Sequence, residues 1–325
     1  MRFTRLTLAI ALIASCSTAL ADGVMPFGDV LYWHASADAS SVWSNAAYEG
    51  SSFSADNVHF DWSPGFRFGF GHQLHDESWD VKLYWTHFRT SQDEQVAIEE
   101  GRPGVVVPEF FSGFVGSTFD GIPMFNHASI DWRLNYNTID LELGRSVAVG
   151  QSSWLRPSMG IKTATIQQDV RLRFASPNAI IPALSVTAEE NIAHDFWGIG
   201  PSFGIRGGWS LPNRRNLSLV GSFAADFLVG QWNVDDAYTR TDDQLPVLSY
   251  GAFSTSMKNS WLGVPALRYF LGVEWVHQGN VTLTASVGYE LQWWANQQRM
   301  LAFQQLPMHG DLTLEGLTCG VSVGF

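Results

Sequence analysis

Cysteine is the first scarcity: the chain holds two in 325 residues. Cys16 lies in a segment expected to be removed, which leaves Cys319 alone and excludes an intrachain disulfide in the mature protein. Long apolar runs are missing as well. Past the N-terminal segment no stretch reaches the ~18 consecutive apolar residues of a membrane helix, so a helical span is excluded. Charge is thin, at 15% of residues against a usual ~25%, while aromatics make up 14%, which excludes a disordered chain. Basic residues are the scarcer sign, 19 Lys and Arg against 31 Asp and Glu, a net of −12 that argues against a nucleic-acid binder. What is abundant is glycine, at 30 residues, and tryptophan, at 14, a pairing suited to tight turns and interfacial anchors. The length allows two domains at ~150 residues each or one large all-β unit.

The N-terminus follows the three-part plan of a secretory signal: Arg2 and Arg5, an apolar run from Leu6 to Ser15, then Ala19-Leu20-Ala21 as a small-x-small cleavage site before Asp22. Residues 1–21 are expected to be lost on export through the Sec pathway, leaving 22–325 with 17 basic against 31 acidic residues, a net of −14. Ile13-Ala14-Ser15-Cys16 also has the look of a lipoprotein processing box, so cleavage at Cys16 stays open.

The mature chain alternates with period two. Trp79, Val81, Leu83 and Trp85 fall on one face, Asp80, Lys82, Tyr84 and Thr86 on the other. The same pattern recurs around Phe66–Phe70, Ile139–Leu143, Trp197–Ile205, Leu219–Val229, Leu267–Trp275 and Val281–Leu291. A soluble sandwich also alternates, but three features favour a membrane barrel. The polar faces are rich in Gly, Ser and charges of both signs, as a lumen would be. Aromatics gather near strand ends, at Tyr32-Trp33, Trp62, Trp79, Trp132, Trp197, Trp209, Trp275 and Trp293-Trp294, as in the girdles of barrels. The chain closes on Leu317, Cys319, Val321, Val323 and Phe325, a terminal strand that resembles the signal read by the outer-membrane barrel assembly machinery.

The expected fold is therefore all-β, a transmembrane antiparallel up-and-down barrel of about ten strands over 22–325. Its strands are expected at 27–36, 58–73, 78–90, 129–148, 153–174, 194–211, 216–235, 262–276, 280–298 and 312–325. Short gaps alternate with long ones at 37–57, 91–128, 175–193, 236–261 and 299–311, the asymmetry of periplasmic turns and outer loops. Twelve strands result if part of 91–128 pairs. The alternation breaks between Tyr136 and Ile139, which predicts a bulge or a change of environment there.

Several blocks carry more than a generic barrel. Gly28-Asp29-Val30-Leu31-Tyr32-Trp33, Asp61-Trp62-Ser63-Pro64-Gly65-Phe66-Arg67-Phe68-Gly69, Trp79-Asp80 with Leu83-Tyr84-Trp85-Thr86, the long block from Trp132 to Arg145, Phe196-Trp197-Gly198-Ile199-Gly200-Pro201, and Gly288 to Trp294 run through the mature chain. Together they resemble the Legionella-type major outer membrane protein family. The resemblance implies an outer-membrane β-barrel thought to act as a porin, with outer-membrane lipid and the assembly machinery as partners. It specifies no solute. Family members that form intermolecular disulfides need more cysteines than the one mature cysteine present here.

Projected inward, the alternation gives Arg67, Lys82, Arg156, Lys162, Arg206 and Arg268 against Asp80, Asp140, Glu142, Asp226, Glu274 and Glu290. Interiors of ~8 strands are filled by side chains and open channels belong to ~16–18, so ten strands sits near the filled end. The residues alone leave two readings: a salt-bridged plug, giving a structural or adhesive barrel with a closed lumen, or a narrow charge-lined pore. The family resemblance favours the pore, with passive passage of small solutes or ions. The long gaps hold most of the net charge, and Asp93, Glu94, Glu99, Glu100, Glu109 and Asp120 in 91–128 face only Arg102, an acidic mouth that would favour cations. The same gap contains Val105-Val106-Val107, Phe110-Phe111, Phe114 and Phe119, expected to fold inward because long exposed apolar patches are liabilities.

No enzyme is expected: Gly200-Pro201-Ser202-Phe203-Gly204 and Gly320-Val321-Ser322-Val323-Gly324 match the G-x-S-x-G string but fall inside expected strands, without the strand-to-helix turn of a nucleophile elbow, although a triad assembled across strands would leave no such trace. No cofactor and no metal are expected either. His72 and His75 have ligand-like spacing but fall in a predicted turn, and Asp235-Asp236 with Asp242-Asp243 lack the Gly and terminal Glu of a dedicated calcium loop. Nucleic acid is not an expected partner, and the oligomeric state is left open.

Overall fold

The computed structural model describes residues 23–37, 42–48, 52–74, 78–98, 104–108, 125–176, 186–212, 214–242, 252–300 and 308–324. The signal segment, Glu99, Glu100, Glu109, Asp120, the apolar run around Phe110 and the terminal Phe325 lie outside the described residues. In chain order the strands are β1 (Val24–Ala37), β2 (Val42–Tyr48), β3 (Ser52–Asn57), β4 (Ser63–Gln73), β5 (Trp79–Ala97), β6 (Gly104–Pro108), β7 (His127–Arg145), β8 (Val147–Ala148), β9 (Ser153–Ser176), β10 (Val186–Leu211), β11 (Arg214–Asp242), β12 (Ala252–Gln278), β13 (Thr282–Met300) and β14 (Met308–Gly324).

Ten of them close into an antiparallel ring in the order β1-β4-β5-β7-β9-β10-β11-β12-β13-β14. The seam is β14 on β1, paired from Phe27 opposite Ser322 to Ala37 opposite Leu312. Closure leaves no strand edge for lipid to meet. The segment within 91–128 that does pair, β6, joins β2 and β3 in a separate sheet rather than entering the ring, so the count is ten and not twelve. Four short connections, 74–78, 146–152, 212–213 and 279–281, lie at the same end as both described termini, and the longer connections lie at the other.

The strands run farther at the other end than expected. β5 continues to Ala97, β10 begins at Val186, β11 reaches Asp242 and β12 begins at Ala252. Most of 175–193 and 236–261 is therefore strand and not loop, and Asp93 and Glu94 sit on β5, where Asp93 is exposed and Glu94 accepts the His59 amide at 2.8 Å. These extensions were hidden because the polarity of the two faces reverses along the strands while the register does not.

β7 shows the reversal. Its pairing with β5 and β9 is continuous, with no bulge. In its lower half the outward residues Ile139 and Leu141 are exposed and apolar, and the inward Asp140 is buried and charged. In its upper half the outward residues are Asn135, Arg133 and Asp131, and the inward Tyr136, Leu134, Trp132 and Ile130 are buried. The break between Tyr136 and Ile139 is thus a change of environment. β9 does the same: Met159 and Ile161 are exposed outward below, Gln167, Asp169, Arg171 and Arg173 above, with Ile166, Val170, Leu172 and Phe174 buried inward. The outward apolar band on β10 extends from Trp197 to Trp209. At ~3.3 Å per residue and a tilt of ~40° that is roughly 30 Å of height, close to the ~25 Å expected of a barrel's lipid belt.

The upper interior holds an apolar core. Leu31, Trp33, Phe60, Phe88, Trp132, Leu134, Tyr136, Ile166, Phe174, Phe196, Trp232 and Trp294 belong to one buried cluster. Val106 and Phe125 join it, so the described part of the apolar segment in 91–128 does fold inward. The girdle assignment needs correction at three places. Trp33, Trp132 and Trp294 are buried inside, while Tyr32, Trp62, Trp197, Trp209 and Trp275 are exposed outward. Strand-end position alone cannot separate an interfacial ring from a core ring when the strand continues above the lipid.

Candidate functional site

The structure places the six cations and six acids projected inward from the sequence in the interior of the lower half, a layer in which all but Lys82 take part in ion pairs. Lys162 is nearly fully buried and lies 3.0 Å from Asp140 and 3.4 Å from Asp226, two acids that are equally buried. Its ammonium also stands 5.7 Å from the centre of the Trp294 ring above it. Arg268 reaches Asp140 at 3.2 Å, Asp226 at 3.3 Å and Glu142 at 3.5 Å. Arg67 donates to both oxygens of Glu290, at 2.6 and 3.2 Å. Arg156 makes a two-pronged pair with Asp80 and reaches Glu142 at 3.5 Å. Arg206 pairs with Glu274 at 2.6 Å. Such charges are stable in a low-dielectric interior only when each is met by a partner of opposite sign in good geometry.

Two members of the layer, Asp29 and Thr318, are absent from the sequence projection, and Tyr84, which alternation puts on the polar face, joins them. Asp29 takes Arg67 at 2.9 Å, making seven acids. Its parity was readable, since Gly28, Val30 and Tyr32 share one face of β1, but its inward neighbours Leu31 and Trp33 are apolar and masked the signal. Tyr84 accepts from Arg268 at 2.6 Å and donates to Glu142 at 2.5 Å. Thr318 accepts from the Trp33 indole at 3.1 Å and donates to Glu290 at 3.1 Å, stitching the charged layer to the core above. Above Glu290, Gln292 donates to it at 3.0 Å and accepts from the Tyr136 hydroxyl at 2.6 Å. Tyr136 on β7 and Gln292 on β13 are five strands apart in either direction round the ring, so this buried bond spans the full bore.

Lys82 differs from the other cations. It has no hydrogen bond or ion pair among the described residues. Its cross-strand neighbour Glu142 is taken by Tyr84, Arg156 and Arg268. A cavity of about 250 Å³ opens beside it at the short-turn end, lined also by Arg67, Arg156, Arg206, Glu274 and Glu290. Among the described residues no group of His, Cys, Asp and Glu is placed to hold a metal ion. Of the acidic mouth, only Asp93 and Glu94 are described. Asp93 faces outward opposite Asp131, on the opposite face of β5 from Glu94, so these two do not share one surface at the pore axis.

A family model described as Legionella pneumophila major outer membrane protein precursor matches residues 27–325. No curated protein matches the chain. Among solved structures, the outer membrane protease OmpT of Escherichia coli is similar over 95% of this chain and 99% of its own, with 9% identity and a TM-score of 0.42. The toluene transporter TodX of Pseudomonas putida is similar over 94% of this chain and 90% of its own, with 10% identity and a TM-score of 0.30. The attachment invasion locus protein Ail of Yersinia pestis is similar over 68% of this chain and 100% of its own, with 12% identity and a TM-score of 0.24. None of these likenesses bears on activity.

Proposed function

The chain belongs to the Legionella major outer membrane protein family, and from that premise we propose that it serves as an outer-membrane barrel whose lumen is closed by its own side chains, a structural or adhesive barrel and not a standing pore. The observation that carries this reading is the Tyr136–Gln292 bond across the bore, buried between an apolar core above and a paired charge layer below. Solvated ions would have to cross both. The reading is non-enzymatic, supported by the fact that each of the seven acids of the layer is tied to a cation. Export by the Sec pathway through residues 1–21, and delivery by the barrel assembly machinery through a terminal signal ending at Phe325, belong to the same proposal.

One observation favours a second reading, porin-like passage of small solutes or ions. The cavity beside Lys82 makes the short-turn half of the lumen a charge-lined vestibule, and passage would follow if the layer above it parted. Conductance of the purified, heat-modifiable protein in a planar bilayer separates the two. A silent wild type, with current steps appearing when Tyr136→Ala and Gln292→Ala are combined, is the expected result. Ohmic steps from the wild type would replace the closed barrel by the pore.

A further inference from the structure

The cavity at the short-turn end also stands apart from the question of passage. We propose that it is a binding site for a small oxyanion, held by the Lys82 ammonium together with the Arg206 guanidinium. Lys82 projects inward from β5 between Asp80 and Tyr84, and both of those are spoken for: Asp80 by Arg156, and Tyr84 by Glu142 and Arg268. The layer's remaining acids are likewise engaged, Asp29 and Glu290 by Arg67, Asp140 and Asp226 by Lys162 and Arg268. Lys82 is left without a hydrogen bond or ion pair among the described residues, facing a cavity at lipid depth, while its nearest acids, Asp80 and Glu142, are held by other partners. An ammonium in that position is favourable only if water or an anion meets it.

A second relationship points the same way. Arg206 on β10 stands directly opposite Arg156 on β9, two like charges on one inward face. Like charges paired across strands are destabilising unless something neutralises them. Arg156 is neutralised by Asp80, but Arg206 spends one nitrogen on Glu274 and remains a third exposed toward the cavity. Lys82, Arg156 and Arg206 all line the same space, together with Ser158 of β9. At ~30 Å³ per water, a cavity of about 250 Å³ holds a tetrahedral or carboxylate oxyanion with part of its hydration. A phosphate or carboxylate group matches these donors because a guanidinium and an ammonium give short, charge-assisted bonds to anionic oxygen.

The test is calorimetric titration of the refolded full chain in detergent micelles with inorganic phosphate, at fixed ionic strength and against a chloride control. We expect one saturable site that chloride does not reproduce. Lys82→Met should weaken it by about tenfold, the loss of one charge-assisted bond. Lys82→Arg should keep it, and heat-modifiable gel migration reports whether each variant is a closed barrel. A wild type with no saturable phosphate heat overturns the proposal, and so does a closed Lys82→Met barrel that binds phosphate as tightly as the wild type.

Discussion

Tyr84 and Arg268 stand on opposite sides of the ring, on β5 and β12, five strands apart whichever way the ring is followed, and yet the guanidinium donates to the phenol oxygen at 2.6 Å. Two long side chains are enough to span a barrel of ten strands. The diameter set by strand number therefore decides that opposite walls touch, and the residue types decide that they touch through paired charges.

Lys162 is the most exacting member of that layer. Replacing it by Met leaves Asp140 and Asp226 buried with Arg268 as their only remaining ion-pair cation among the described residues. Breaking a buried pair on one side costs about 3–5 kcal/mol. The urea midpoint of the folded, heat-modifiable form should fall accordingly, and a midpoint equal to the wild type would show that the layer is wetter than the burial of these groups implies.

Gly144 matters because of where Arg156 must go. Arg156 is on β9 and Asp80 on β5, with β7 between them, and a Cβ at position 144 would land on the guanidinium. Gly144→Ala should lower stability by about 2–4 kcal/mol, the combined cost of overpacking and of loosening the pair. In an Arg156→Met background the same alanine should cost little. Additive losses in that double-mutant cycle would argue that Gly144 acts elsewhere.

The height of the lipid belt can be read residue by residue on β7. Single cysteines introduced in a Cys319→Ser background should divide into three groups. Leu141→Cys should react with membrane-dissolved reagents, Arg133→Cys with aqueous ones, and Leu134→Cys with neither. If Arg133→Cys reacted only from the membrane, the reversal of faces would be placed wrongly.

A bulge between Trp294 and Gln298 puts Asn296 at a φ of 54°. Asp311 on β14 holds it, accepting from the Asn296 amide at 2.8 Å and from the Trp293 indole at 3.0 Å. Asn296→Val should cost about 1–3 kcal/mol because a branched residue resists that backbone region, whereas Asn296→Gly should be close to neutral. Equal stability of the two variants would mean the bulge relaxes freely.

Much of the ring was legible from the sequence because parity survives any environment. Trp79 to Thr86 places Lys82 and Tyr84 inward whether lipid or water lies outside, and of the twelve projected charges all but Lys82 pair in the interior. Parity does not say which face is oily, and that is where the reading failed. Above Asn137 the outward residues Asn135, Arg133 and Asp131 are polar, so Trp132, assigned to the girdle by its place near a strand end, is a core ring instead. The pairing of the charges was not legible at all. Arg67 meets Glu290 from a position 223 residues away, and only the order of strands round the ring brings them together.

The reversal of faces also constrains how the chain can reach its final form. A flat, unclosed ribbon of these strands would turn its greasy side toward the bilayer in one half of its length and toward water in the other. No orientation of such a ribbon satisfies lipid and water at once. Curling it shut hides the upper oily stripe and leaves the lower one outside, so insertion and closure must advance together, and a half-curled sheet has no comfortable place to wait.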